Sequence, residues 1–303
     1  MLNPCKSKKS EHSKTLSVDI EFFQAGSCKH PEAVVMQGGS WKNIDFPAGC
    51  ALIKHWQYGA ILFDTGYSSR FFAETQKFPF NIYAALTPVA LKGADELACA
   101  LSHSALSAAD IKTIIVSHFH ADHVGGLGDF AASSFVCARE ALAAIKGKSG
   151  FAALKRGFLA GLIPSDFEQR LIYMDQLAAV DLPESFYPFK SAFDLTLDQR
   201  VLLVELPGHA AGHIGVIVRT TSNGDYFLIG DACWVSDTFK ELRMPHMITG
   251  LVNSDSRQYR ATIDKLHQLH QNNPSLMIVP SHCKAALLQA TKQSGQAKGI
   301  YEY

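Results

Sequence analysis

The chain has 303 residues, 47% hydrophobic and 18% charged, which is enough apolar material for one large domain or two small ones with a full core. Lys plus Arg and Asp plus Glu each number 28, so the formal net charge is zero and the basic surplus of a nucleic-acid binder is missing. No apolar run is long enough to span a bilayer, and the 7 cysteines (Cys5, Cys28, Cys50, Cys99, Cys137, Cys233, Cys283) form no Cys-x-x-Cys pair, a pattern of reduced thiols in a cytoplasmic protein.

Met1–Lys14 is polar and lysine-rich and reads as a disordered tail, so residues 1–15 are set apart from a single domain over 16–303. No apolar run follows the tail, and a secretory signal is not expected. Leu16 to Gln24 alternate as a strand does. Residues 25–48, rich in Gly, His, Pro and Lys, read as a long loop. Strands are predicted near Ala51–His55 and Ala60–Phe63, split by Gln57, Tyr58 and Gly59. The second runs into Asp64-Thr65-Gly66. Residues 67–92 carry Phe71, Phe72, Phe78, Phe80 and Tyr83, interrupted by Pro79 and Pro88. A helix is predicted over Ala94–Leu106, with Leu97, Leu101 and Ala105 on one face. Helical insertions are thus expected near 66–106 and again near 150–190.

The β-branched run Ile111–Val116 predicts a buried strand that ends at a histidine cluster. A short strand at Ser134–Cys137 and a helix at Arg139–Lys146 follow. Arg200–Leu206 predicts a strand running into Pro207-Gly208-His209. Ile214–Arg219 and Tyr226–Ile229 form a hairpin around Asn223-Gly224 and lead to Gly230-Asp231. A helix at about Arg257–His270 and a strand at Leu276–Val279 lead to Pro280-Ser281-His282. Five strand ends therefore carry Asp64, His118, His209, Asp231 and His282, and sites are built where loops leave a rigid sheet edge.

His118, His120, Asp122 and His123 lie within six residues. Imidazole nitrogen and carboxylate oxygen suit zinc and similar cations. Four such groups on so tight a turn cannot converge on one ion. The natural division gives His118 and His120 to one metal and Asp122 and His123 to another, with His209, Asp231 and His282 as candidates to complete both. Gly125 and Gly126 let the backbone leave the cluster closely. A lone surface His-x-His arises by chance; this cluster after an apolar strand, with three matching turns downstream, does not readily do so.

The run Ser117-His118-Phe119-His120-Ala121-Asp122-His123-Val124-Gly125-Gly126, with Pro207-Gly208-His209, Gly230-Asp231, Ser281-His282 and Leu62-Phe63-Asp64-Thr65-Gly66, resembles the metallo-β-lactamase superfamily from about residue 16 to 285. The resemblance implies an α+β fold, a four-layer αββα sandwich. It implies two divalent ions, zinc first, with iron or manganese open. His118, His120 and His209 take the first ion, Asp122, His123 and His282 the second, and Asp231 bridges them. Asp64 steadies the histidine loop. Two ions can hold a bridging hydroxide near neutral pH that attacks carbonyl carbon or phosphorus. Asp122 is the acid/base candidate.

Asp231 follows His209 at a spacing similar to the N-acyl-homoserine lactone lactonase branch, which implies a lactone or ester of a small molecule as substrate. Phe78, Phe80 and Tyr83 could line a channel for an apolar tail, although aromatics are more often core. Where that branch usually carries Tyr, three residues past the bridging Asp, this chain has Trp234, a pocket candidate whose indole donates one hydrogen bond but cannot accept or ionise. His213 is expected to support its turn, Cys233 and Cys283 to be packed thiols, and His30 and His246, in loops from which they could enter the substrate pocket, to be structural or surface groups first. A phosphodiesterase on the same metals and a low-turnover ligand-binding sensor remain as alternatives; the intact ligand set favours an enzyme. The expected partner is a small molecule, with neither nucleic acid nor membrane, and the oligomeric state is left open, a homodimer included.

Overall fold

The computed structural model describes residues 17–246 and 253–296. The expected N-terminal tail lies outside the described residues. Among the described residues, thirteen strands form two sheets. The first has seven strands in the order β4 (Val89–Ala90), β1 (Val18–Pro31), β2 (Asn43–His55), β3 (Gly59–Phe63), β5 (Ile111–Ile115), β6 (Ser134–Cys137) and β7 (Leu171–Tyr173). The second has six: β13 (Met277–Pro280), β12 (Asp225–Gly230), β11 (Ile214–Arg219), β10 (Val201–Glu205), β9 (Ser191–Asp194) and β8 (Ala178–Asp181). The helices are α1 (Glu32–Val35), α2 (Arg70–Glu74), α3 (Asn81–Leu86), α4 (Leu97–Ala100), α5 (Ala121–Val124), α6 (Arg139–Ile145), α7 (Gly150–Leu154), α8 (Ser236–Lys240), α9 (Ser256–Asn272) and α10 (Lys284–Gln293). None of the described helices is long and apolar enough to cross a membrane.

Strand alternation sorts the second sheet into two faces. Val201 and Leu203 on β10, Val216 and Val218 on β11, and Tyr226 and Leu228 on β12 join the core shared with the first sheet. Their neighbours Leu202, Val204, Ile217, Phe227 and Ile229 turn the other way, onto Tyr259, Ile263, Leu266 and Leu269 of α9 and Phe239 of α8. Those α9 positions recur at helical spacing, so one stripe of the helix covers the sheet. Asp255 caps α9 by accepting from the Arg257 and Gln258 amides at 2.8 and 3.0 Å, an interaction that contributes about 1 kcal/mol.

The long loop expected over 25–48 is instead mostly strand. β1 passes a bulge between Gln24 and Ser27 and continues to Pro31, pairing with β2 from Ser27↔Pro47 to Pro31↔Asn43. Turn-forming residues are tolerated there because a bulge absorbs the irregularity and the partner strand supplies the ladder. The helix expected over Ala94–Leu106 is broken into α4 and flanking 3-10 turns at 93–95 and 101–104, closed by Ala105 at φ 55°. Residues 150–190 hold one short helix, several 3-10 turns and the strands β7 and β8, and so are less helical than their composition suggests. α10 had no counterpart in the sequence reading.

Candidate metal centre

β3 and β5 run parallel in the first sheet. β10 and β12 both run antiparallel to β11, and β13 runs parallel to β12. The carboxyl ends of all five strands therefore meet at one edge. After Ile115 the chain leaves the sheet, and the Ser117 carbonyl accepts from the Ile214 amide across the gap at 3.1 Å. His120 is extended and caps α5, which starts at Ala121. Asp122 and His123 thus project from a helical turn while His118 and His120 precede it, which separates the cluster in two. Gly125 makes this approach sterically feasible: a Cβ there would lie 2.6 Å from the Gly66 carbonyl oxygen.

The distant members are pinned by their own turns. Thr262 on α9 donates to the Pro207 carbonyl at 2.7 Å, and the Ser254 amide donates to the His209 carbonyl at 2.9 Å. The Asp231 amide donates to His213 Nε2 at 3.1 Å, so His213 supports the turn and stays out of the cluster. Ser281 bridges the sheets: its amide donates to the Gly230 carbonyl at 3.1 Å and its carbonyl accepts from Gly49 at 3.0 Å.

All seven expected residues converge. Two groups could each hold a cation: His118, His120, His209 and Asp231, and Asp122, His123, Asp231 and His282, with ligand atoms within 4.8 Å of one another in each. Asp231 belongs to both. The imidazole nitrogens facing outward are engaged: His118 Nδ1 with Ser117 Oγ at 3.0 Å, His123 Nδ1 with Asp64 Oδ2 at 2.7 Å, His282 Nδ1 with the Pro47 carbonyl at 2.7 Å and His209 Nδ1 with Asn253 Oδ1 at 3.3 Å. The inward His118 Nε2, His123 Nε2 and Asp231 Oδ1 are buried without a hydrogen-bond partner. His123 Nε2 and Asp231 Oδ1 are only 3.2 Å apart, a contact without alignment, as expected of atoms aimed at a common ion. A buried polar atom left unsatisfied costs about 1–3 kcal/mol, and a coordinated cation would remove that cost. The donor set and its orphaned atoms fit a metal pair.

Burial, reinforced by neighbouring imidazoles, pushes His118 well below its usual range, takes His120 down to about 3 and lowers His209. Burial thus favours the neutral imidazole in all three, the form that can offer a lone pair to a cation. On the other side burial opposes charge but loses. His123 and His282 are held well above the usual range by Asp231 and Asp122. Asp122 is in turn drawn down to about 2 by His123 and His282. Paired cations and anions of this kind are the arrangement in which a divalent ion substitutes for protons. Burial raises Asp64, while His123 and Ser117 pull against it.

The cluster floors a cavity of about 380 Å³. Its walls are mostly apolar and include Val34, Ile82, Leu86, Leu154 and Pro245, while His120, Asp122, His209 and Asp231 sit at the base. Trp234 lines it, with its ring 4.4 Å from that of His282 and 5.5 Å from that of His30. His30 is itself a wall residue and so is more than a surface group. Of the three aromatics considered for a channel, Tyr83 lines the cavity, Phe80 packs against the core and Phe78 is 69% exposed. His246 is exposed, edge-on to Trp41. Cys233 and Cys283 are buried free thiols outside both groups. Sequence reasoning missed Asn253, Ser117, Tyr67 and Cys28. Ser117, directly before the first histidine, was the one with a visible signal.

Residues 57–282 match the sequence profile of the metallo-beta-lactamase superfamily, and the chain belongs to that family. It is a hydrolase-class enzyme whose relatives are lactonases. The N-acyl homoserine lactonase AttM of Azorhizobium caulinodans is 24% identical over 238 residues, which span 78% of this chain and 84% of AttM. The N-acyl homoserine lactonase AiiB of Agrobacterium fabrum is 25% identical over 267 residues, 87% of this chain and 88% of its own. A solved N-acyl homoserine lactone hydrolase, with N-hexanoyl-L-homoserine at its catalytic metal center, superposes with a TM-score of 0.69 over 94% of this chain and 98% of that one at 18% identity. The dizinc lactonase AidC does so with a TM-score of 0.60 over 89% and 92% at 17% identity. At these identities the superpositions speak to the fold, and the fold is the αββα sandwich.

Proposed function

We propose that this chain is a dinuclear metal-dependent hydrolase that opens a lactone ring, or cleaves a related ester, bearing an apolar acyl group. The observation that carries the reading is the sharing of Asp231 between two His/Asp groups at the floor of an apolar cavity. His118, His120 and His209 would hold one ion, Asp122, His123 and His282 the other, and Asp231 would bridge them. Zinc suits this nitrogen and oxygen set first, with iron and manganese as alternatives. When bound, the pair supplies a hydroxide nucleophile near neutral pH and Lewis acidity for the carbonyl oxygen.

The chain does the rest. Asp122 reaches the cavity and is placed to take up a proton and return it to the leaving oxygen. Asp64 and Ser117 fix the ring orientations of His123 and His118. Ile82, Leu86 and Leu154 offer an acyl tail an apolar wall and keep water from it. The substrate is a small molecule; neither nucleic acid nor membrane enters the reading. Free thiols at all described cysteines suit a reducing cytoplasm.

Elemental analysis combined with turnover of N-acyl homoserine lactones, aryl esters and bis-aryl phosphates tests the reading. Two ions per chain and fastest turnover of the lactones are expected. Preferred cleavage of the phosphates would replace it with a phosphodiesterase on the same ligands. Tight lactone binding without turnover would replace it with a sensor.

A further inference from the structure

Residues 150–162 form a strap across the cavity side of His120. Its hydrophobic residues Ala153, Phe158, Leu159 and Leu162 are sunk into the core. The Gly161 amide donates to Glu74 Oε2 at 3.2 Å, and Phe151 stands edge-on to Phe78 at 5.4 Å. The strap is therefore pinned along its length. At its turn Gly157 takes φ +58° and presents a bare Cα to the His120 ring. A Cβ there would lie 2.7 Å from His120 Cδ2 and 3.1 Å from Nε2. That ring edge lies opposite Nδ1, the atom 3.1 Å from His209 Nε2. The ring has little room to retreat, since the rings of His118 and His209 stand 4.4 and 4.8 Å away. A packed site that cannot yield must distort when volume is added.

We propose that Gly157 is a positioning residue for the first metal group: the strap backbone backs His120, and any side chain at 157 drives Nδ1 out of ligand geometry. The proposal rests on the metal reading above. It makes an asymmetric demand. The first group should lose its ion, while the second, which shares Asp231 but not His120, should keep one.

Gly150 provides the control. It has φ +51°, and a Cβ there would meet nothing within 4 Å. Gly157→Ala and Gly150→Ala therefore share backbone strain, and only the first meets His120. The experiment measures metal per chain, the visible spectrum and titration of the cobalt-loaded protein, and the thermal midpoint of the metal-free chains. The expected result is two ions in the wild type and Gly150→Ala. Gly157→Ala should show a cobalt affinity at the first site about 10–100-fold weaker, the range seen when ligand support is lost, with an altered spectrum. The metal-free midpoint of Gly157→Ala should fall further than that of Gly150→Ala, because the two share backbone strain and only the first adds a clash. Gly157→Ala with two ions and an unchanged cobalt titration overturns the proposal. A wild type that binds no ion instead overturns the metal reading beneath it. Should Gly157→Ala fail to fold, Phe151→Ala loosens the strap from outside, its ring being 61% exposed. Its first-site cobalt affinity should fall as the support for His120 slackens, and an unchanged affinity there overturns the proposal equally.

Discussion

Asp64 Oδ2 and His123 Nδ1 lie 2.7 Å apart with both side chains buried, and this pair joins the end of β3 to the first turn of α5. The same carboxylate accepts from the Ser117 amide and hydroxyl, each at 2.8 Å. One side chain thus fixes the tautomer of a candidate ligand and the start of the histidine loop. Its φ of 58° is a left-handed conformation, which Asp adopts more readily than most residues.

Asp64→Asn keeps the shape and removes the charge that orients His123. Metal affinity at the second group is expected to fall about 10–100-fold, with first-group affinity nearly unchanged. Competitive titration with a metallochromic chelator measures both. Equal loss at the two groups would mean that Asp64 holds the whole loop and not His123 in particular.

The two groups should also separate by mutation of the ligands. His120→Ala is expected to lower occupancy of the first group and activity together, while Asp231→Ala, which belongs to both groups, should lower total metal further. Elemental analysis against activity checks this order. Full activity in His120→Ala would remove that residue from the site.

Chelation should destabilise the fold, because ions bind the folded cluster far better than the unfolded chain. At free ion a thousandfold above Kd the linked stabilisation is about 4 kcal/mol, on the order of 10 °C for a domain of this size. Melting with and without chelator gives the difference. Coincident curves would show that the cluster folds without help from metal.

Most of this centre was legible because its chemistry is local or marked by turns. His118 to His123 sit within six residues after a β-branched strand, and His209, Asp231 and His282 each follow a turn signal at a strand end. What was not legible depends on residues far apart in the chain. Asn253 reaches His209 across 44 positions, and nothing in its surroundings announces it. Gly157 matters only because a pinned strap brings it against His120. The extension of β1 past Gly26 was hidden for a related reason: composition describes local preference, and the β2 ladder overrides it.

Tyr83 is a wall residue beside the cluster, close to the Ala121 backbone and to Asp122. Tyr67, Cys28 and Asn253 share the wall, and Asn253 is engaged with His209. A phenol in this wall can donate to an oxygen that gains charge, and Tyr83 is the one to test. Tyr83→Phe is expected to lower kcat by about 100-fold with metal content unchanged, the low end of the range for loss of one such donor. A change in KM alone would assign the phenol to binding.

Acyl length reports on the cavity itself. Burying each methylene contributes about 0.8 kcal/mol, close to fourfold in kcat/KM, so activity on N-acyl homoserine lactones should climb with chain length and level off when the walls at Ile82, Leu86 and Leu154 are covered. Leu154→Trp adds bulk to that wall on the strap side. It should move the plateau to shorter chains while leaving the shortest substrate nearly unaffected, since on the proposed reading the lactone ring would sit at the floor formed by His120, Asp122, His209 and Asp231, away from the added indole. Kinetics on a butanoyl to dodecanoyl series measure both effects. A uniform loss across the series would mean that Leu154 acts on the reacting end and not on the tail, and a flat length profile in the wild type would remove the acyl group from this cavity altogether.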